Sequence, residues 1–311
     1  MNTEASFTLP EPTTAFGTYS PTVIELEGPF QHGFVHARGA RFHIVQAGAT
    51  TDPLLLLLHG AYSGWFEYRY LIAPLAAAGF HVSAIDMRGF GMSDKPPLSY
   101  GYNMRAATSD IAGLIQALGH DQAILVGSDT GGSIAWCTAA AYPQQVSQLI
   151  VSAAAHPADL RILLTTTPWL APHLLKRTTL TRASGQLRIS PATFKRNLEN
   201  STNAVFHTSP RWEEELALRI LAAGISATKT GTGAIHRLLN APGTTRWSSP
   251  IIEQPTLLIH PDKPLWQQLG ALSKERAPQL EIAQIPQVGE LPAVENPAAF
   301  KAQIISFAQH R

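Results

Sequence analysis

A chain of 311 residues with 45% apolar and 14% charged side chains describes a globular protein with a modestly charged surface, long enough to bury one large core and carry an inserted sub-domain. A net charge of +1 removes any global electrostatic argument for nucleic acid or a membrane as partner. The single cysteine, Cys137, excludes an internal disulfide and a cysteine zinc cage; just after a glycine-rich turn, it reads as a buried, inert thiol.

Met1 to Pro21 is polar, contains Glu4 and Glu11, and has no apolar stretch, so it does not read as a secretory signal. The run Leu54–Leu58 is too short to span a bilayer. The expectation is a cytoplasmic protein without internal repeats. Residues 1–27, rich in Thr and Pro and without periodicity, read as an arm, disordered or wrapped on the surface.

From Gly33 to Gly48 the pattern alternates around Arg38-Gly39, which predicts a hairpin with His36 and His43 as surface strand residues. Pro53 to Gly60 predicts a strand buried on both faces, ending in His59-Gly60. Trp65 to Gly79 is amphipathic and stops at a glycine, as a helix does. Phe80 to Asp86 is a further strand, followed by a loop through Arg88, Gly89, Gly91 and Asp94 to Pro97. Tyr102 to Leu118 reads as a helix, and Gln148 to Pro157 as a strand ending in His156-Pro157. This strand–helix alternation predicts a doubly wound, mostly parallel α/β sheet, whose ligands bind outside the carboxyl ends of the strands.

The chain is organised around Gly127-Ser128-Asp129-Thr130-Gly131-Gly132, where the apolar strand Ile124–Val126 breaks and a helical pattern begins. A strained strand-to-helix turn needs small residues two before and two after the one side chain it lifts. With Ser128 lifted, those places fall on Val126 and Thr130. With Asp129 lifted, they fall on Gly127 and Gly131, so Asp129 is the candidate nucleophile.

On these residues the sequence resembles the α/β-hydrolase fold superfamily, and within it the epoxide hydrolase and haloalkane dehalogenase branch, whose nucleophile is an aspartate. The loop from Asp86 to Pro97 is similar to that branch's D-x-RG-x-G-x-SD-K/R-P run, with Asp86, Arg88 and Asp94 expected to fix it by ion pairing. The resemblance implies that His59-Gly60-Ala61 forms an oxyanion turn. Tyr62 stands where the branch usually has proline. It implies a helical cap over residues 158–249, inserted between two core segments, 28–157 and 250–311. Helical patches at Leu160–Leu164, Pro191–Leu198 and Trp212–Ala223 fit that insertion. The first half of the cap is basic (Arg161, Lys176, Arg177, Arg182, Arg188, Lys195, Arg196, Arg211), which reads as a solvated surface or as attraction for an anionic substrate or partner.

The rest of the branch's machinery departs from pattern. Where the branch has P-x-x-GH-x-x-x-x-E-x-P, this chain runs from Pro286 through Gly289-Glu290 to Glu295 and Pro297, with Glu290 in the histidine's place. The orienting acid is displaced: after the strand Gln254–His260 come Pro261 and Pro264, and Asp262 is the carboxylate at hand. The alternative acid position, at the end of the strand before the cap, holds Ala153 and Ala154. Residues 158–250 contain no tyrosine to assist epoxide opening, and Thr130 stands where the dehalogenases place a tryptophan.

Three functions remain open. Asp129 and Glu290 could form a carboxylate pair holding one proton, for lyase, isomerase, cyclase or hydration chemistry on a small, largely apolar substrate. His59 or His156 could supply a further proton to it. The capped pocket could instead bind a small molecule without catalysis. Or the protein could hydrolyse epoxides or esters with Glu290 as the base. The first is preferred. No cofactor and no metal is expected, since Asp129, Asp262, Glu290 and His260 lack ligand spacing. Thr130 and His156 complete the expected pocket, and a homodimer remains open.

Overall fold

The computed structural model describes residues 14–97, 102–170, 190–233 and 251–309. Lys176, Arg177, Arg182 and Arg188 of the basic stretch, and residues 1–13 of the arm, lie outside the described residues.

Eight strands form one sheet in the order β1-β2-β4-β3-β5-β6-β7-β8. β1 (Gln31–Ala37) and β2 (Ala40–Ala47) make the expected hairpin, closed by Arg38 and Gly39 at φ of 50° and 76°. Positive φ at both turn residues gives the twist that paired strands require. β2 also runs antiparallel to β4 (His81–Ile85). From there every neighbouring pair is parallel, through β3 (Leu54–Leu58), β5 (Ala123–Ser128), β6 (Val146–Ser152), β7 (Thr256–Ile259) and β8 (Leu280–Ala283).

Helices cover both faces, which is why β3, β4 and β5 are buried at every position. Leu54, Leu56 and Leu58 pack in one core with residues of α2 (Met104–Ala117) and α3 (Asp129–Ala141). Leu55 and Leu57 point the other way, into a second core with α1 (Ile72–Ala76) and with Phe300 and Ile304 of the closing helix. The two-residue strand period thus divides one run of leucines between two cores.

The helix expected over Trp65–Gly79 is two pieces, a 3-10 turn at Trp65–Tyr68 and α1. Pro74 has no N–H to offer the carbonyl four residues back, so a continuous helix cannot run through it. Between β6 and β7 the described chain is helical: α4 (Pro157–Thr166), α5 (Pro191–Ser201) and α6 (Pro210–Gly224). After β7 come α7 (Pro264–Arg276), β8, the short α8 (Pro292–Glu295) and α9 (Pro297–Gln309).

The arm, from residue 14 on, is seated against the body. Ile24 and Leu26 are buried, the Trp65 indole N–H donates to the Ile24 carbonyl at 3.0 Å, and Tyr19 bridges to Ile225 after α6. His43 is not a surface residue: it is fully buried, its Nδ1 2.8 Å from Asp86 Oδ2 and its ring stacked on His32. Alternation predicted an outward face for it, but that face is covered by His32 and Trp65. Burial works against an ionised Asp86, yet the hydrogen bond and charge of His43 outweigh it and hold Asp86 down to about 2. Arg88 grips Asp110 with two hydrogen bonds of 2.6 and 2.7 Å, and the Arg41 amide donates to Asp94, so the loop is tied down as its charges suggested.

Candidate active site

Asp129 sits where β5 becomes α3, at φ of 45°, a left-handed conformation uncommon for a non-glycine residue. The neighbouring glycines make that turn sterically possible. A Cβ on Gly131 would lie 2.2 Å from the Leu58 carbonyl oxygen, and one on Gly127 would lie 2.7 Å from the backbone of Gly132. Strand β3 and the first turn of α3 are therefore in contact through backbone, and the side chain lifted clear belongs to Asp129.

One carboxylate oxygen of Asp129 is already engaged. Oδ2 accepts the Ala61 backbone N–H at 3.1 Å and the Thr130 hydroxyl at 3.2 Å. Oδ1 makes no hydrogen bond to the described residues. Gly60 is needed here, because a Cβ on it would press on Asp129 Oδ2 at 3.1 Å. The Ala61 amide thus points its N–H at the Asp129 carboxylate from the turn that follows β3.

Asp129 opens on a cavity of about 320 Å³. Its apolar wall comes from Tyr62, Leu160, Leu265 and Leu269; Tyr62 packs edge-on against Phe194. Its polar wall is a stripe of α5, with Thr193, Arg196, Asn197, Asn200 and Ser201 at helical spacing. Glu290 also lines the cavity, its Oε1 accepting the Trp266 indole N–H at 3.1 Å and its backbone N–H donating to the Ser201 carbonyl at 2.6 Å. The loop that presents Glu290 is pinned by Glu295, which accepts from the amides of Gly289, Leu291 and Asn203.

The structure therefore brings Asp129, Gly60, Ala61, Tyr62, Thr130 and Glu290 together. It does not bring in Asp262, which is exposed and holds the Gln267 amide at 2.7 Å. Neither histidine expected at the pocket lines it. His59 is buried, sharing its Nδ1 proton with the Gly60 carbonyl and accepting the Met87 amide on Nε2, and burial holds its pKa low. With both nitrogens committed, it braces the turn after β3. His156 caps α4 by accepting the Ala158 amide, and burial presses its pKa down to about 3. Cys137 is buried, which pushes its thiol up to about 12.

Two charged residues near the site carried no signal in the sequence. Glu67, in the 3-10 turn after β3, is fully buried. It accepts a short hydrogen bond from the Ser128 hydroxyl and a long one, 3.4 Å, from the Gly60 amide. Arg219 of α6 is 2% exposed and pairs with Glu215 at 2.8 Å. Glu215 in turn pairs with Arg69 at 2.7 Å. Burial alone would raise Glu215, but the two arginines outweigh it and hold its carboxyl below the usual range. Isolated charges separated by some 150 positions read by default as solvated surface.

Among the described residues, no group of three histidine, cysteine or acidic residues could hold a metal, and no helix is long and apolar enough to cross a membrane.

Residues 53–283 match the profile of the alpha/beta hydrolase fold, and the chain belongs to that family. The match stops short of the loop carrying Glu290. Within the family the similarity runs to epoxide hydrolases. Epoxide hydrolase 3 of Xenopus tropicalis is 39% identical over 140 residues, 44% of this chain and 38% of that protein. The AB hydrolase superfamily protein YfhM of Bacillus subtilis is 37% identical over 143 residues, 46% of this chain and 49% of that one. The matched stretch thus spans less than half of each of these curated relatives. Among solved structures, an epoxide hydrolase mutant from Vigna radiata superposes with a TM-score of 0.73 at 18% identity, over 91% of this chain and 99% of its own. Epoxide Hydrolase A from Mycobacterium thermoresistibile gives 0.69 at 21%, over 90% and 98%. At those identities the likeness is one of fold.

Proposed function

We propose that the protein hydrolyses a small epoxide through an ester on Asp129, with Glu290 acting first as acid and then as base. The observation that supports this reading is the posture of Asp129. It is lifted on a glycine-lined elbow, with Oδ2 in an amide donor, and shares one cavity with Glu290. A carboxylate meant only to pass protons has no need of an oxyanion donor. One that becomes an ester and is then attacked at its carbon does. For this reason we place hydrolysis ahead of lyase or isomerase chemistry.

In the proposed cycle the carboxylate pair carries one proton, on Glu290. Asp129 Oδ1 bonds to an epoxide carbon, the ring C–O bond breaks, and the ring oxygen takes the Glu290 proton. The Trp266 N–H then stabilises the Glu290 carboxylate left behind. Water adds to Asp129 Cγ and gives a proton to Glu290, while charge on Oδ2 is met by the Ala61 amide. The tetrahedral centre collapses, the C–O bond to the product breaks, and the added hydroxyl's proton goes to the departing oxygen. A diol leaves, with Asp129 ionised and Glu290 protonated as at the start. The mixed lining, with Arg196 and two asparagines, favours a substrate carrying a polar group beside its reactive ring.

The test is diol formation from a panel of small terminal and substituted epoxides. The wild-type protein is expected to turn over, and Glu290→Gln to form the Asp129 ester more slowly, without its acid, and then to hold it, seen on long incubation with a reactive epoxide as a lasting mass increase of the intact chain. Neither diol nor adduct from any epoxide would contradict the proposal and favour a binding role for the cavity.

A further inference from the structure

A second, smaller chamber of about 30 Å³ shares Tyr62, Asp129 and Glu290 with the main cavity and adds Gly60, Glu67 and Arg219. Its volume suits one or two water molecules. It lies where ester cleavage needs its nucleophile, between the carboxyl to be attacked and the residue assigned as base.

Arg219 makes the chamber more than a void. Its Nε donates to Glu215 at 2.8 Å and its Nη1 to the Tyr62 carbonyl at 3.2 Å. Nη2 has no hydrogen-bond acceptor among the described residues, the Glu67 carboxylate lying 3.8 Å away. A guanidinium N–H withdrawn from bulk water needs an acceptor, and a water in the chamber is one. Glu67 cannot move to meet it, because Ser128 and the Gly60 amide hold its two oxygens. The unmatched donor is thus fixed at the edge of a polar, water-sized space.

On the hydrolase reading above, we infer that Arg219 is a positioning residue that holds the hydrolytic water in this chamber, with Glu67 and Glu215 holding Arg219. The water accepts from Nη2 with one lone pair and points the other at Asp129 Cγ. Its oxygen bonds to that carbon, its proton passes to Glu290, and the product oxygen leaves as described. Arg219 gains and loses nothing; it sets the angle of attack.

The experiment separates ester formation from ester release, in wild-type protein, in Arg219→Gln, and in Ser201→Leu. Ser201 lines both the chamber and the main cavity, so leucine there displaces water without touching the ion pairs, and its effect on adduct formation is read separately from its effect on release. That variant keeps the test decisive should loss of the buried arginine prevent folding. With a reactive terminal epoxide, both variants are expected to form the Asp129 adduct but to release it about a hundredfold more slowly than wild type, a larger loss than either shows in adduct formation, as misplaced reactants do. A crystal structure of the free protein is expected to show an ordered water within hydrogen-bond distance of Arg219 Nη2. Wild-type release in Ser201→Leu, adduct formation lost in parallel with release, or no water at Nη2 would each overturn the inference. Absence of any adduct or diol in the wild type would instead strike the hydrolase reading itself, and the catalytic role of Arg219 with it.

Discussion

The two halves of the site are built to different standards. On the β3–β5 side, the parts of an aspartate elbow are in place: glycines where Cβ atoms would collide, Asp129 at positive φ, and the Ala61 amide on its Oδ2. On the β7–β8 side, the loop after β7 turns Asp262 into solvent, and the loop after β8 presents Glu290, bound to Trp266. In the proposed cycle the attacking carboxylate, Asp129, comes from the first side, while Glu290 on the other side supplies the proton for ring opening and then the base for ester cleavage. The two sides thus carry different proposed roles, the nucleophile on one and the acid–base group on the other.

The largest effect tests the β3–β5 side. Asp129→Asn is expected to lower turnover by about a thousandfold or more, because the amide cannot form the ester; adduct and diol should vanish together, as read by intact mass and product analysis. Next comes the β7–β8 side. Glu290→His restores the residue type of the pattern this loop resembles, yet it is expected to recover less than about tenfold of the activity lost in Glu290→Gln, since Asp262 is turned into solvent and Glu295 is already held by three backbone amides. Recovery to the wild-type rate would mean that an acid other than Asp262 serves it, and the two sides would not differ as described. Trp266→Phe removes one hydrogen bond to the Glu290 carboxylate that ring opening leaves behind and is expected to slow adduct formation by roughly tenfold, with ester release less affected.

How far the sequence carried this account follows the same division. Gly127, Gly131 and the phase of the strand pointed to Asp129 over Ser128, because the elbow's requirements are local backbone requirements. The doubly wound sheet was legible for a similar reason, in continuous apolar runs such as Leu54–Leu58. Glu290 was visible only as a substitution in a spaced pattern, and its partner Trp266 not at all. The direction of Asp262 depends on the path of the loop after β7, which spacing does not encode. Glu67 and Arg219 meet through α6 packing on the turn after β3, a tertiary fact. His43 alternates like a surface residue and is buried because the hairpin's outer face is itself covered.

The smallest effect concerns stability rather than turnover. His156, buried at the start of α4, is held neutral with a pKa near 3, against about 6.5 in the unfolded chain. Between those values the unfolded state binds the extra proton, so stability is full above pH 6.5 and falls by about 1.4 kcal/mol per pH unit below it. His156→Asn can still accept the Ala158 amide as a cap and is expected to flatten that slope, measured by denaturant unfolding at pH 7 and pH 5. An unchanged slope would place the acid sensitivity elsewhere.

The most direct test of the central claim is a single turnover of a terminal epoxide in ¹⁸O-labelled water, followed by mass analysis of the peptide containing Asp129 and of the diol. An ester on Asp129 cleaved at its carboxyl carbon predicts the label in Asp129 and an unlabelled diol. Label in the diol with Asp129 unlabelled would mean that water attacks the substrate itself, and that Asp129 is not the nucleophile.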